Sequence, residues 1–189
     1  LKQAKQVITD NVDDVKRLQK LTNSMLGLLK EDKLEIQKGK VGLQPVIARA
    51  MNLVVNQALA KDIAIDDKTK NFLLLGDRQS LEQLFTILLD NAIKYSNKGG
   101  TVTISSIKKG KNVSVAVADA GIGMSDEVKS QIFTRFYRAE ESRTTAGYGL
   151  GLSIAERIIR AHGGRINVDS EQNVGSTFTA ILPAYNKKK

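Results

Sequence analysis

AGYGLGLSIAERIIRAHGG, residues 146–164, sets alternating glycines before an apolar-periodic run and closes at the chain's single histidine, His162. Leu152, Ile154, Ala155, Ile158 and Ile159 recur at helical spacing, which predicts a helix opening at the glycines. Gly147, Gly149 and Gly151 let another group approach the main chain closely. Free N–H groups and the positive end of a helix dipole make such a start an anion site, with phosphate the usual occupant. A flexible linker before a helix reads the same way. The spacing fits neither the dinucleotide fingerprint nor the P-loop, because no Gly-Lys-Ser/Thr follows. The stretch acquires meaning only from its neighbours.

The 189 residues hold one ordinary domain plus an extension, and 41% of them are apolar, enough for a real core. The absence of cysteine excludes a disulfide frame and a thiolate zinc site. A single histidine argues against a histidine-based metal site. No run is apolar enough to span a membrane and no signal peptide is visible, so the expectation is a soluble chain in a cytoplasmic setting. Lys and Arg number 29 against 20 Asp and Glu, a formal +9. The lysines are spread along the chain and do not interleave with aromatics, so the reading is a solvated basic surface without nucleic-acid binding.

Residues 1–37 read as one long amphipathic helix, with Ile8, Val12, Val15, Leu18, Met25 and Leu29 on its stripe. Such a stripe needs a partner helix. Gly39 to Gly42 break the pattern, and Pro45 suits the first turn of a second helix ending near Ala60. Ile63–Ile65 and Phe72–Leu75 predict strands, and Asp77 predicts an N-cap for a helix from Arg78 to Tyr95. Thr101–Lys108 and Val113–Asp119 alternate as a hairpin. A short helix around Glu127–Phe133 follows, then a polar stretch from Arg138 to Tyr148, the opening helix, and a last hairpin, Arg165–Ser170 with Thr177–Leu182. This order predicts an α+β fold, a two-layer sandwich with helices on one face of a mixed sheet, preceded by the long amphipathic helix.

Four further stretches join the opening one. In LLDNAIKYS (88–96), Asn91, Lys94 and Tyr95 share one helix face, while Leu81, Leu84, Phe85, Leu88 and Ala92 take the neighbouring face into the core. An amide oxygen, a cation and an aromatic ring suit a magnesium ion, its phosphates and a base; an ordinary amphipathic helix would look the same. In DAGIGM (119–124), a strand ends on Asp119, an acceptor for an exocyclic amine, with Gly121 and Gly123 giving room for the base. Alone, this is also a common strand-to-turn signal. IFTRFYRAEESRTTAG (132–147) anchors a polar segment carrying Arg138 and Arg143, as a lid over a ligand would be anchored. GSTF (175–178) sends Thr177 into the last strand.

In this order and at these distances, the five stretches resemble the catalytic ATP-binding domain of sensor histidine kinases, within the Bergerat-fold ATPases. The resemblance covers residues 42–185, and the long first helix looks like the second helix of the kinases' dimerisation hairpin. It implies a division into a partial dimerisation hairpin at 1–37, a catalytic ATP-binding domain at 38–185 and a disordered basic tail at 186–189. It further implies that Asn91 holds Mg²⁺ on the ATP phosphates, Lys94 contacts phosphate and Tyr95 packs near the adenine. Asp119 would read the adenine amino group, Thr177 would assist through a water, and Gly121 and Gly123 would line the base pocket. Gly147, Gly149, Leu150 and Gly151 would shape the end of the lid and offer N–H groups to the triphosphate. Arg138 and Arg143 would neutralise charge on the transferring phosphoryl group.

Two positions depart from the pattern. Ile87 stands where many members have a second asparagine, and where the hydrolytic relatives place a water-activating glutamate, so transfer to an outside acceptor is favoured over hydrolysis. Met124 stands where isoleucine is frequent. The family phosphorylates a histidine followed by an acid on the first hairpin helix. His162 lacks that acid and ends a helix, where a histidine is favourable to the dipole and needs no catalytic role. The expectation is therefore a fragment whose acceptor helix is missing, from a parent that is a homodimeric membrane sensor relaying phosphate to a response-regulator receiver domain. A serine kinase of the same fold and a non-catalytic dimerisation adapter are the alternatives.

Overall fold

The computed structural model describes residues 36–139 and 148–186. Four helices and seven strands are present among them: β1 (Gly39–Gly42), α1 (Leu43–Ala60), β2 (Ala64–Lys68), β3 (Leu73–Gly76), α2 (Arg78–Tyr95), β4 (Thr101–Lys109), β5 (Asn112–Asp119), α3 (Asp126–Gln131), α4 (Gly151–Ala161), β6 (Arg165–Glu171) and β7 (Gly175–Pro183). The first-helix reading falls almost wholly outside the described residues; Ile36 and Gln37, at its end, are not helical.

Five strands form a mixed sheet in the order β2-β4-β5-β7-β6, with β2 parallel to β4 and the remaining pairs antiparallel. Side chains alternate across a strand. Val102 and Ile104, Val113, Val115 and Val117, and Phe178, Ala180 and Leu182 are all buried, so one face of β4, β5 and β7 is the core face. The helices cover it. Leu81, Leu84, Phe85, Leu88, Leu89, Ala92 and Ile93 form the buried stripe of α2, at the three- and four-residue spacing that puts them on one side. Each fully buried leucine contributes about 1.5–3 kcal/mol of transfer free energy. Asp77 caps this helix as expected, accepting from Ser80 N–H at 2.8 Å.

The Gly39–Gly42 stretch is a correction. It does not merely separate two helices; it is a strand, paired antiparallel with β3 as a separate two-stranded sheet. The motif is too short and glycine-rich to show a period, and non-local pairing decides it. The short helix is also smaller than expected, with Ile132 and Phe133 beyond its end. Among the described residues no helix is long and apolar enough to cross a membrane.

Candidate functional site

Asp119 is the last residue of β5 and stands opposite Ser176 of β7. Its Oδ1 accepts from Gly121 N–H at 2.9 Å, and Ser176 N–H also donates to the carboxylate. Burial nevertheless holds this carboxyl above its usual range, because desolvation outweighs those two bonds. Asp119 therefore stands in a partly dry wall, with acceptor capacity left for a ligand.

That wall belongs to an open cleft of about 820 Å³, its mouth included. Asn91 and Tyr95 of α2, Gly123 after β5, Leu152 in the first turn of α4, and Ser176 of β7 line it with Asp119. Val128 and Ile132 from the α3 region, with Phe178 of β7, add an apolar surface suited to a flat ring.

The loop after Asp119 is set by main-chain contacts on both sides. Ile122 N–H donates to Tyr95 O at 3.2 Å, and Ile122 O accepts from Asn173 N–H at 2.7 Å. A Cβ on Gly121 would lie 2.1 Å from Tyr95 O, and one on Gly123 would lie 1.8 Å from Glu171 O. Both glycines are thus required by neighbouring backbone; of the two, Gly123 reaches the cleft wall.

Asn91 is the candidate metal ligand. Its Nδ2 is buried without a hydrogen-bond partner. A buried amide lacking a partner is costly, and rotation of the amide exchanges nitrogen for oxygen at that point. Among the described residues no group of three or more His, Cys, Asp or Glu could hold a metal ion. One amide oxygen supplemented by phosphate and water oxygens suits Mg²⁺, which keeps much of its own hydration. The residues present fit that ion.

Other expected site residues have different settings. Lys94 Nζ lies over its neighbour's ring, 5.2 Å from the centroid of Tyr95. Gly149 (φ 69°) sits against Phe136 and Tyr137, and its carbonyl accepts from Phe136 N–H at 2.9 Å. Leu150 is the buried N-cap residue of α4, with no side-chain cap, so the first N–H groups of that helix have no intrahelical partner. Gly151 begins α4 against Ile87, whose Cγ2 would be 3.4 Å from an added Cβ. Position 87 is therefore an apolar helix contact. Arg138 is half-buried; Arg143 and Gly147 lie outside the described residues.

Thr177 is a second correction. Ser176 and Phe178 both line the cleft, so alternation along β7 turns Thr177 to the opposite face. Ser176, one residue earlier, stands opposite Asp119 and lines the cleft. Its hydroxyl is 2.9 Å from that of Ser170.

His162 is structural, as its place at a helix end suggested, but it does not act by favouring the dipole. Instead it is buried, its Nε2 accepts from Asp77 N–H at 3.0 Å, and its Nδ1 lies 2.7 Å from Ile158 O. Those two partners require the neutral Nδ1–H tautomer. Burial lowers its pKa for the same reason, against the opposing pull of the Ile158 carbonyl. The ring joins the end of α4 to the start of α2, and Gly76 leaves room for it: a Cβ there would lie 2.7 Å from the imidazole.

Comparison with known proteins places this geometry. Residues 76–186 match the family described as histidine kinase-, DNA gyrase B-, and HSP90-like ATPase. The chain is 38% identical over 172 residues to the sensor histidine kinase YkoH of Bacillus subtilis, covering 89% of this chain and 37% of that protein. It is likewise 38% identical over 147 residues to the sensor-like histidine kinase SenX3 of Mycobacterium tuberculosis, covering 76% of this chain and 36% of that one. The chain thus spans a little over a third of these relatives. Among solved structures, histidine kinase ThkA in complex with response regulator protein TrrA superposes with a TM-score of 0.74 at 25% identity, covering 92% of this chain and 49% of that one.

Proposed function

This chain belongs to the histidine kinase-, DNA gyrase B-, and HSP90-like ATPase family, and from that premise we propose that it is the ATP-binding catalytic part of a sensor histidine kinase. The observation that carries the reading is the cleft in which Asp119, Asn91 and Tyr95 meet beside the uncapped start of α4. Asp119 accepts a hydrogen bond from the adenine amine, and the apolar wall packs the ring. Asn91 supplies an amide oxygen to Mg²⁺. When bound, Mg²⁺ withdraws charge from the β- and γ-phosphates. The first N–H groups of α4 receive phosphate, and Arg138 and Arg143 offset charge on the transferring group.

Two features favour transfer to an outside side chain. Ile87 places no carboxylate one turn before Asn91 to activate water. His162, the chain's only histidine, has both ring nitrogens engaged. The acceptor imidazole therefore comes from another helix, for which the family's dimerisation hairpin is the source, and residues 1–37 are assigned to that hairpin. The catalytic domain is 38–185. Onward transfer to a receiver-domain aspartate is supported by the ThkA–TrrA assembly. The reading puts this part on the cytoplasmic side of a membrane-anchored, dimeric sensor.

Incubation with γ-labelled ATP tests it. The chain alone stays unlabelled, and addition of a hairpin carrying the acceptor histidine yields acid-labile phosphate that requires Asn91. Acid-labile label on the chain alone, lost in His162→Ala, refutes the assignment of an outside acceptor.

A further inference from the structure

The last turn of a helix leaves four carbonyls without intrahelical partners. Of the carbonyls of Ala92, Ile93, Lys94 and Tyr95 at the end of α2, the first keeps an intrahelical donor and the other three are satisfied from outside the helix. Ala92 O accepts from Ser96 N–H and from Ser96 Oγ at 2.7 Å. Tyr95 O accepts from Ile122 N–H. The middle two accept from one side chain distant in sequence: Lys61 Nζ donates to Lys94 O at 2.6 Å and to Ile93 O at 3.2 Å.

Lys61 is itself held in place. It is the C-cap of α1, and Asp62 follows in the left-handed region with φ 58°. Ile63 N–H donates to Ala58 O at 2.8 Å and Asp62 N–H to Leu59 O at 3.1 Å. That pair of bonds is the Schellman motif, which aims the lysine stem at α2. The carbonyl of Lys61 also accepts from Gly99 N–H, tying down the turn beyond α2. An ammonium at a helix C-terminus meets the negative end of the dipole.

The turn so capped is the one that presents Tyr95 to the cleft and, through Tyr95 O, holds the loop after Asp119. From this we propose that Lys61 is a positioning residue of the nucleotide site, fixing the end of α2 so that Tyr95 and the Asp119 loop keep their binding geometry in the empty protein. The inference rests on the cleft being the nucleotide site. Lys61 touches no ligand; it acts through two main-chain oxygens. Its partial burial lowers its pKa, as expected of an ammonium moved toward the interior.

Calorimetry with MgADP on the full 189-residue chain, run beside thermal melts, tests this. In Lys61→Met the two carbonyls lose a charged donor, and affinity falls roughly 5–20-fold. Lys61→Arg, a planar cation with several donors, restores affinity to within about 2-fold. A lysine that only stabilised the fold would lower the melting temperature of Lys61→Met and leave the Kd of the folded protein unchanged, and that result overturns the proposal. A wild-type chain that binds no MgADP overturns the nucleotide reading and this inference with it. Should Lys61→Met not fold, hydrogen exchange on the wild type decides. The Ser96 and Ile122 amides then exchange as slowly without nucleotide as those of β5, and exchange orders of magnitude faster refutes a locked helix end.

Discussion

Asp119→Asn separates what the carboxylate does for a ligand from what it costs the fold. In the native chain Oδ1 is committed to Gly121 N–H at 2.9 Å, and Ser176 N–H takes further acceptor capacity. An asparagine that keeps its oxygen on Gly121 must turn Nδ2 into the cleft. A donor then faces the amine of the base, so one hydrogen bond is lost and one repulsive contact is gained. A mispaired polar contact of this kind costs about 2 kcal/mol, or roughly 30-fold in affinity. Stability moves the other way. Burial raises the carboxyl pKa above its unfolded value, so the associated stability is fully present below the unfolded pKa and is lost as pH rises through the folded one. At pH 7 the charged form is therefore a burden that the amide lacks. The variant should melt above the wild type at pH 7 without nucleotide, with the gap closing toward pH 4. Calorimetry with MgADP and melts across that range measure both. Unchanged affinity, or a variant less stable than wild type at pH 7, refutes the reasoning.

Gly121→Ala should lower stability by about 1–3 kcal/mol and abolish measurable MgADP binding, because its Cβ would meet Tyr95 O at 2.1 Å; urea unfolding and calorimetry check it. Thr177→Val should leave MgADP affinity within about 2-fold, whereas Ser176→Ala should weaken it roughly 5-fold by removing one hydrogen bond at the cleft. His162 should make the fold acid-sensitive. Its folded pKa is depressed, so its stability is present above the unfolded value near 6.5 and is lost as pH falls below it, at up to about 1.4 kcal/mol per pH unit. Urea unfolding at pH 7.5 and 5.5 should show this loss in wild type and not in His162→Gln.

Local signals were legible. Asp77 as a cap, the α2 stripe and the β4–β5 alternation each depend on residues within a few positions of one another, and these placed Asn91, Tyr95 and Asp119. What failed depended on distant partners. β1 exists only because β3 pairs with it. Assigning Thr177 in place of Ser176 was a one-residue error of phase, and in a strand that reverses the face; the phase is set across the sheet by Asp119. The dipole reading of His162 followed from its helical position, but its neutral state follows from burial against Asp77, far away in sequence. Lys61 carried no motif at all.

The contact of Ile87 with Gly151 and that of His162 with Asp77 have a joint consequence for the geometry of the two helices. Asp77 to Ile87 measures about 15 Å along α2, and Gly151 to His162 about 16.5 Å along α4, at 1.5 Å per residue. Two struts bolted together at two points of nearly equal spacing can neither slide nor scissor. The crossing angle is thus set at both ends, one bolt a buried imidazole remote from the cleft and the other a glycine with no side chain to spare. A methyl group added at position 151 would meet Ile87 Cγ2 at 3.4 Å, an ordinary van der Waals contact, so the joint at the cleft end could be filled without prising the struts apart.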